Sequence, residues 1–494
     1  MRTMKYMRLM CGLAVLVAGS AEGTVLNYPV TTDTYLDSQS PTVNFGAATT
    51  VKVLINSSDG SICRGLFTLP PEIGSLEPAK VAKVVVCFYV FSDQTAGRTI
   101  TLFPLTRAFS EGTGAADGAT WLTYDGVNAW TNTGGDFDTG HGVIGRRGAN
   151  GYFRWDITAL LEDGAIRTNL LNYGALLRID EVPPPVSGTP RAPFTSSDNS
   201  AAERPYVEVT LGEEVQFAIT TDTYVDSRSS NTSRNYGVAT TVKTVVNSSD
   251  ASVCRGFFRL PPEVGLYTTD QIARATVLLY VWQDNTAERN ITLFPLTQAF
   301  VEGTGNGTDP ADGATWTTYD GTNVWTSPGG DFDTNYPITG VKEPILDPDL
   351  NDRYFRWDIT ALLTDGQARS ELLDNGALLR LDEVPLPSSG MPRAPFTSSD
   401  DLSYTAAFRP RVELLVIPRT VDVQRVTIED GSLVVALTNC TPFITNRIER
   451  TFDLLQPNGW IVVTSLVTSG HTTNWAWPLP SGESNAFYRL SGAP

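Results

Sequence analysis

Phe153-Arg-Trp-Asp-Ile-Thr-Ala-Leu-Leu161 returns unchanged as Phe355-Arg-Trp-Asp-Ile-Thr-Ala-Leu-Leu363. From Tyr152 to Ile157 the residue types alternate. Phe153, Trp155 and Ile157 share one side, and Tyr152, Arg154 and Asp156 share the other. A period of two is the pattern of a strand with one face in a core. A short helical stretch is expected to follow, from Thr158 to Leu161 and on toward Leu171, with its counterpart at Thr360 to Leu373.

Further blocks recur in the same order on both sides of this one. Thr31-Thr-Asp-Thr-Tyr35 returns at 220–224, Ile100-Thr-Leu-Phe-Pro-Leu-Thr106 at 291–297, Gly134-Gly-Asp-Phe-Asp-Thr139 at 329–334, and Pro190-Arg-Ala-Pro-Phe-Thr-Ser-Ser-Asp198 at 392–400. The offset widens from 189 residues at Asp33/Asp222 to 205 at Pro205/Pro410. Each step falls in a Gly-, Asp-, Asn- or Pro-rich segment, such as 139–152 against 334–354. Surface loops tolerate insertions, so the steps mark loops and the blocks mark framework. The period is far longer than a solenoid unit and describes two complete domains.

Val84-Val-Val-Cys-Phe-Tyr-Val-Phe91 reads as one strand buried on both faces. Pro70-Pro71, Gly134-Gly135 and Pro183-Pro-Pro185 supply turns. The pattern predicts an all-β chain of two tandem antiparallel β-sandwiches, residues 24–212 and 213–417. Residues 418–494 differ. Val426 to Leu437 reads as a hairpin around Asp430-Gly431, and strand-like segments lie near 450–455, 460–467 and 485–490. A small C-terminal β-sandwich is expected, near the lower limit for an independent core.

The chain has 494 residues, too many for one ordinary core. Arg2, Lys5 and Arg8 precede the apolar run Cys11 to Ala18, and Gly19, Ser20, Ala21 and Gly23 follow. That order predicts a signal peptide over residues 1–23, too short to span a bilayer. Cys11 lies inside the apolar run rather than after a small-residue box, so no lipid anchor is expected. No later stretch reads as a transmembrane helix, and a secreted, extracellular or cell-surface protein without membrane insertion is expected. The formal charge of −18 argues against nucleic acid as a partner. The two histidines, His141 and His471, disfavour histidine-dependent catalysis. Cys63 and Cys254 occupy matching positions, whereas Cys87 matches Leu278, so these read as small buried hydrophobes without a disulfide framework.

The ordered series resembles a known family. Asp-x-Tyr-x-Asp opens each copy, followed by Asn-x-Gly (Asn44–Gly46, Asn235–Gly237) and an Arg before an apolar strand (Arg64, Arg255). Glu-Gly-Thr…Ala-Thr-Trp (Glu111–Trp121, Glu302–Trp316), Trp-Asp-Ile-Thr, Phe-x-Ser-x-Asp (Phe194–Asp198, Phe396–Asp400) and Pro-x-Val-x-Val (Pro205–Val209) come later. Together they are similar to the DNRLRE domain, or disaggregatase-related repeat, over residues 28–212 and 217–417. The resemblance implies a jelly-roll sandwich in secreted bacterial or archaeal proteins, often beside polysaccharide-degrading domains. One branch is an alginate-binding carbohydrate-binding module. Phe109 and Phe300 stand where that group often has Trp.

Three sets of residues are candidates for function. Arg64, Arg154 and Arg178, with Arg255, Arg356 and Arg380, alternate away from apolar neighbours. If their strands share one sheet, the guanidiniums line its non-core face, where their forks suit the carboxylates and vicinal hydroxyls of sugars. Trp121 and Trp130, with Trp316 and Trp325, flank loops and offer stacking surfaces, whereas Trp155 and Trp357 read as core. Asp33 and Asp37, with Asp222 and Asp226, are candidate ligands for a structural calcium, as are Asp136 and Asp138 (Asp331, Asp333) in a Gly-rich loop. No other cofactor is expected. Glu111 with Asp117, or Glu302 with Asp309, could be enlisted as acid and base, but the loop length differs between copies and no histidine stands beside them.

The expectation is therefore a secreted, non-catalytic carbohydrate-binding protein with two polysaccharide-binding modules in tandem, an arrangement that raises apparent affinity for a polymer. The alternative is a structural or adhesive extracellular surface protein without a sugar site. The first reading requires the guanidiniums and rings to emerge on an open β-surface.

Overall fold

The structure, a computed structural model, describes residues 25–492 except 115–116, 149, 201, 308–311, 347–351, 420, 431, 452–459 and 479–484, with backbone alone at 13–18, 428, 485–489 and 491–492. The expected leader lies outside the described residues apart from the backbone strand Leu13–Ala18. Two compact units are present, Thr24–Leu211 and a second that takes in Gly212–Pro494.

The first unit is an antiparallel sandwich. One sheet has the order Val25–Pro29, Tyr206–Leu211, Val81–Tyr89, Tyr152–Asp156 and Arg146–Arg147. The other runs Arg191–Thr195, Thr50–Ile55, Ile62–Phe67, Ala175–Ile179, Ile100–Pro104 and Val143–Ile144, with Asp33–Asp37 also on Ile62–Phe67. The facing sides enclose the main core, where Phe88, Trp155 and Phe194 meet edge to face. The Trp155 indole N–H donates across the sandwich to the Ile100 carbonyl (3.0 Å), which satisfies that buried donor. The helical stretch is two helices, Thr158–Glu162 and Gly164–Tyr173, separated by Asp163, whose carboxylate caps the second through the Ala165 and Ile166 amides.

The second copy repeats this pairing. Glu213–Ala218, Arg411–Val416, Ile272–Val281 and Arg353–Asp358 form one sheet, joined at its corner to the other through Arg393–Thr397, Thr241–Val246, Val253–Phe258, Ala377–Leu381 and Ile291–Pro295. Trp357 donates to the Ile291 carbonyl at 3.1 Å. The C-terminal sandwich contains the expected hairpin, with Glu429 opposite Ser432 and Asp430 at φ 48° in the turn. Its core is small, and Phe443 and Ile444 pack instead into the second copy's core, where Phe443 lies 5.1 Å from Phe217.

Each copy also has a second apolar cluster on the outside of one sheet. The segment after Phe103 crosses back over the sheet and buries Leu36, Leu66, Leu105, Trp130 and Leu176 beneath it. Val225, Phe257, Leu296, Trp325 and Leu378 form the equivalent layer. The Asn-x-Gly motif ties this segment down. The Asn44 side-chain amide donates to the Glu111 and Ala119 carbonyls (2.7 and 2.9 Å), and Gly46 passes so close that a Cβ there would lie 2.2 Å from the Glu111 carbonyl oxygen. Asn235 donates to Glu302 and Ala314 at 2.6 and 3.0 Å. The four-residue insertion in the second copy leaves that clamp intact.

Candidate functional site

The arginines expected on one face divide between two sheets. Arg64 and Arg178 lie on the outer side of the sheet covered by the 105–139 segment, because Leu66 and Leu176 pair directly and all four residues share that side. Arg154 belongs to the opposite sheet, since its strand pairs with Val81–Tyr89. There it is ion-paired with Glu208. Arg356 likewise binds Glu343 at 2.9 Å. Alternation assigned each side chain to a face, but pairing between distant strands decided which sheet that face belongs to.

On the shared face, guanidiniums and rings alternate. Arg64 lies 5.1 Å from the Trp121 ring and 5.5 Å from Phe137, and Arg178 lies 5.3 Å from Phe137 and 4.7 Å from Phe103. The second copy repeats the ladder as Trp316, Arg255, Phe332, Arg380 and Phe294, with separations of 5.1, 5.6, 5.3 and 4.8 Å. Gly134 makes the ladder possible. It sits at φ +84°, and a Cβ there would lie 2.7 Å from the Trp121 ring. Stacked cations of this kind contribute about 0.5–2 kcal/mol each, depending on desolvation.

The two rungs differ in availability. Arg64 is closed off by a bidentate pair with Glu181 (both 2.8 Å) and by the Gly134 carbonyl (2.9 Å). Arg255 repeats this with Glu383 (2.7 and 2.8 Å) and the Gly329 carbonyl. Glu181 and Glu383 carried no sequence signal, because the contacts span 117 and 128 residues. Arg178 and Arg380 are half-buried, and among the described residues neither has a carboxylate partner.

Other candidates are corrected by burial. Trp130 and Trp325 are core residues, 4% and 3% exposed, with their indole N–H groups donating to the Thr120 and Thr315 carbonyls. They anchor the covering segment and cannot stack on a ligand. Trp121 and Trp316 are half-buried ladder rungs. Trp155 and Trp357 are core.

The candidate calcium residues do not converge. Asp33 and Asp37 stand at opposite ends of one five-residue strand, about 13 Å apart at ~3.3 Å per residue. Asp33 accepts the Ser197 amide (2.7 Å), and Asp37 the Gln39 amide (2.9 Å). Asp222 accepts Ser398 Oγ and the Ser399 amide, and Asp226 the Arg228 amide and Asn231 Nδ2. Asp136 accepts the Thr131 and Asn132 amides, and Asp331 the matching Thr326 and Ser327 amides. Asp138 accepts the Gly140 amide, and Asp333 the Asn335 amide. Among the described residues no group of three or more His, Cys, Asp or Glu side chains is placed to hold a metal ion.

The acid–base pairing also dissolves. Glu111 accepts the Asp33 amide at 2.7 Å, and Asp117 accepts from the Thr113 amide and hydroxyl. In the second copy Glu302 accepts the Asp222 amide, while Asp312, not Asp309, holds the loop through Thr304. Asp309 lies outside the described residues. Burial pushes Glu111 and Glu302 up to about 7.

No protein-family model matches this chain, and no curated protein matches it. Its chemistry is therefore read from its own two copies. Beside the second ladder, Gln298, Thr326, Ser327, Thr334, Asp331 and Phe332 line a cavity of about 580 Å³ that reaches Arg255. Hydroxyls, an amide and an aromatic edge around an open cavity are suited to a polyhydroxylated ligand.

Proposed function

We propose that this protein is a secreted, non-catalytic polysaccharide-binding protein with two DNRLRE-like binding units in tandem. The observation that carries the reading is the repeated guanidinium–aromatic ladder, in which, among the described residues, Arg178 and Arg380 have no carboxylate partner while Arg64 and Arg255 are ion-paired. An unpaired guanidinium on a ring surface favours an oxygen-rich ligand. Two such units on one chain favour a polymer.

Retention of the full chain on insoluble and soluble polysaccharides tests this. The variant Arg178→Ala with Arg380→Ala is expected to be retained less, without product release from the polymer. A wild-type chain that no glycan retains would instead favour the scaffold reading, a structural or adhesive surface protein. That second reading draws support from the ion pairs that occupy Arg64, Arg154, Arg255 and Arg356.

A further inference from the structure

The outer face of the sheet that carries Arg154 is built alike in the two copies and finished differently. In the first copy Tyr152 pairs with Tyr89, and Tyr206 stands opposite Cys87. Their neighbours Phe88, Phe153 and Val207 are buried in the core, so the three tyrosines turn outward. They meet edge to face, with the Tyr89 and Tyr206 rings 5.4 and 5.3 Å from that of Tyr152. All three are half-buried, and among the described residues no hydrogen-bond partner stands at the Tyr89 or Tyr152 hydroxyl.

The second copy places Tyr354 against Tyr280 at the same register, with the rings 5.5 Å apart. There the chain covers the pair itself. The offset between copies grows from 202 at Asp198/Asp400 to 205 at Pro205/Pro410, so the connecting segment is three residues longer, and it turns back through the short helical turn Ala406–Phe408. Phe408 lies 4.6 Å from Tyr280 and stacks parallel to Tyr354 at 6.3 Å, and Tyr404 lies 5.7 Å from Tyr280. The Ala407 carbonyl accepts from the Tyr354 hydroxyl (2.8 Å) and from Arg411 (2.6 Å). Tyr280, 4% exposed, donates to Asp352. The first copy has none of these covering groups. Glu203 stands exposed at the place of Phe408, Tyr206 at that of Arg411, and Asn150 at that of Asp352.

We infer that the Tyr89, Tyr152 and Tyr206 face of the first copy docks a segment of another protein that carries two aromatic side chains one turn apart, as Tyr404 and Phe408 do for the second copy. The same tyrosine pair, on the same two strands, is seen with its cover in place, so the chain displays the chemistry that fits it. Tyrosine rings bring a large contact area at little cost in side-chain entropy, together with a hydroxyl that can donate to a backbone carbonyl, which is why they dominate protein interfaces. Tyr152 would meet a carbonyl of the incoming segment as Tyr354 meets Ala407. Glu203, whose charge is felt at Tyr152, favours a segment with a basic residue beside its aromatics, as Arg409 follows Phe408. The inference is independent of the glycan reading, because the ladders lie on the other sheet of each sandwich.

The probe is a fluorescent peptide with the sequence of residues 401–409, titrated with the full chain and followed by anisotropy. Saturable binding of one peptide per chain is expected, since the second copy's place is already filled. Tyr152→Ala with Tyr206→Ala in the protein should weaken binding by about tenfold or more, the scale of lost interface tyrosines. Tyr404→Ala with Phe408→Ala in the peptide should abolish it, a comparison that does not depend on how a protein variant folds. Replacing residues 199–204 of the full chain by a second copy of residues 401–409 should fill the place, raise the Tm of the first copy and exclude the peptide. A wild type that does not bind the peptide overturns the inference, as does equal binding by the tyrosine variant, by the alanine peptide or by the filled chain. If the tyrosine variant instead loses retention on a polysaccharide while the peptide stays unbound, this face belongs to glycan binding and the peptide-docking inference falls alone.

Discussion

The two copies carry the same ladder but treat its rim differently. In the first, Arg107 reaches across to Asp136 at 3.2 Å and lies 4.9 Å from the Tyr124 ring. In the second, Gln298 occupies that position and the cavity beside Asp331 and Phe332 is open. The residues beneath are the same in kind, and the Asn44 and Asn235 clamps hold loops that differ in length. Framework and rim are thus separable. Buried aromatics and their backbone partners are repeated, whereas exposed side chains around them are free to diverge, because a change at the rim costs little folding energy.

Four measurements would break or sharpen that equivalence. The largest effect is expected from Trp155→Ala and Trp357→Ala. Each removes a fully buried indole from a main core and should cost its own copy about 3–5 kcal/mol in a denaturant titration. A clear inequality between them would mean that the cores are not equivalent. Next come Glu181→Gln and Glu383→Gln, which strip the bidentate partner from guanidiniums that are each 12% exposed. A loss of about 2–3 kcal/mol is expected in each copy, below the cost at a fully buried pair because some water remains.

The third concerns pH. Burial lifts Glu111 and Glu302 from 4.5 to about 7, lifts Asp222 from 3.8 to about 6, and raises Asp33. A carboxyl with a higher pKa in the folded state contributes stability that is complete below its unfolded pKa and is lost as pH rises through the folded value. For the two glutamates that window runs from 4.5 to about 7. Glu111→Gln and Glu302→Gln should flatten the decline of Tm across it, and equally in both copies. The smallest effect belongs to Arg107→Gln and Gln298→Arg. Arg107 is 43% exposed, so exchanging the rims should shift stability by less than about 1 kcal/mol while changing ligand retention.

Much of the framework was legible in the sequence. The alternation around Trp155 placed Phe153, Trp155 and Ile157 in the core, and the helical stretch expected after Thr158 is present as two helices. The strand read as Val84 to Phe91 ends at Tyr89, and Phe91 turns out to solvent. An apolar run does not record where a strand leaves the sheet. Trp130 was read as a loop aromatic, but the loop that carries it folds back and buries it.

The sequence alone determined the duplication, the all-β class and the face on which most strand residues lie, since side-chain period and turn chemistry are local properties of the chain. Only the tertiary structure decided that Arg154 and Arg64 belong to opposite sheets, that Glu181 neutralises Arg64, and that Tyr404 and Phe408 cover Tyr280. Those outcomes depend on pairing between segments tens to more than a hundred residues apart, and that pairing is fixed by the packing of the whole sandwich, not by any one stretch of it.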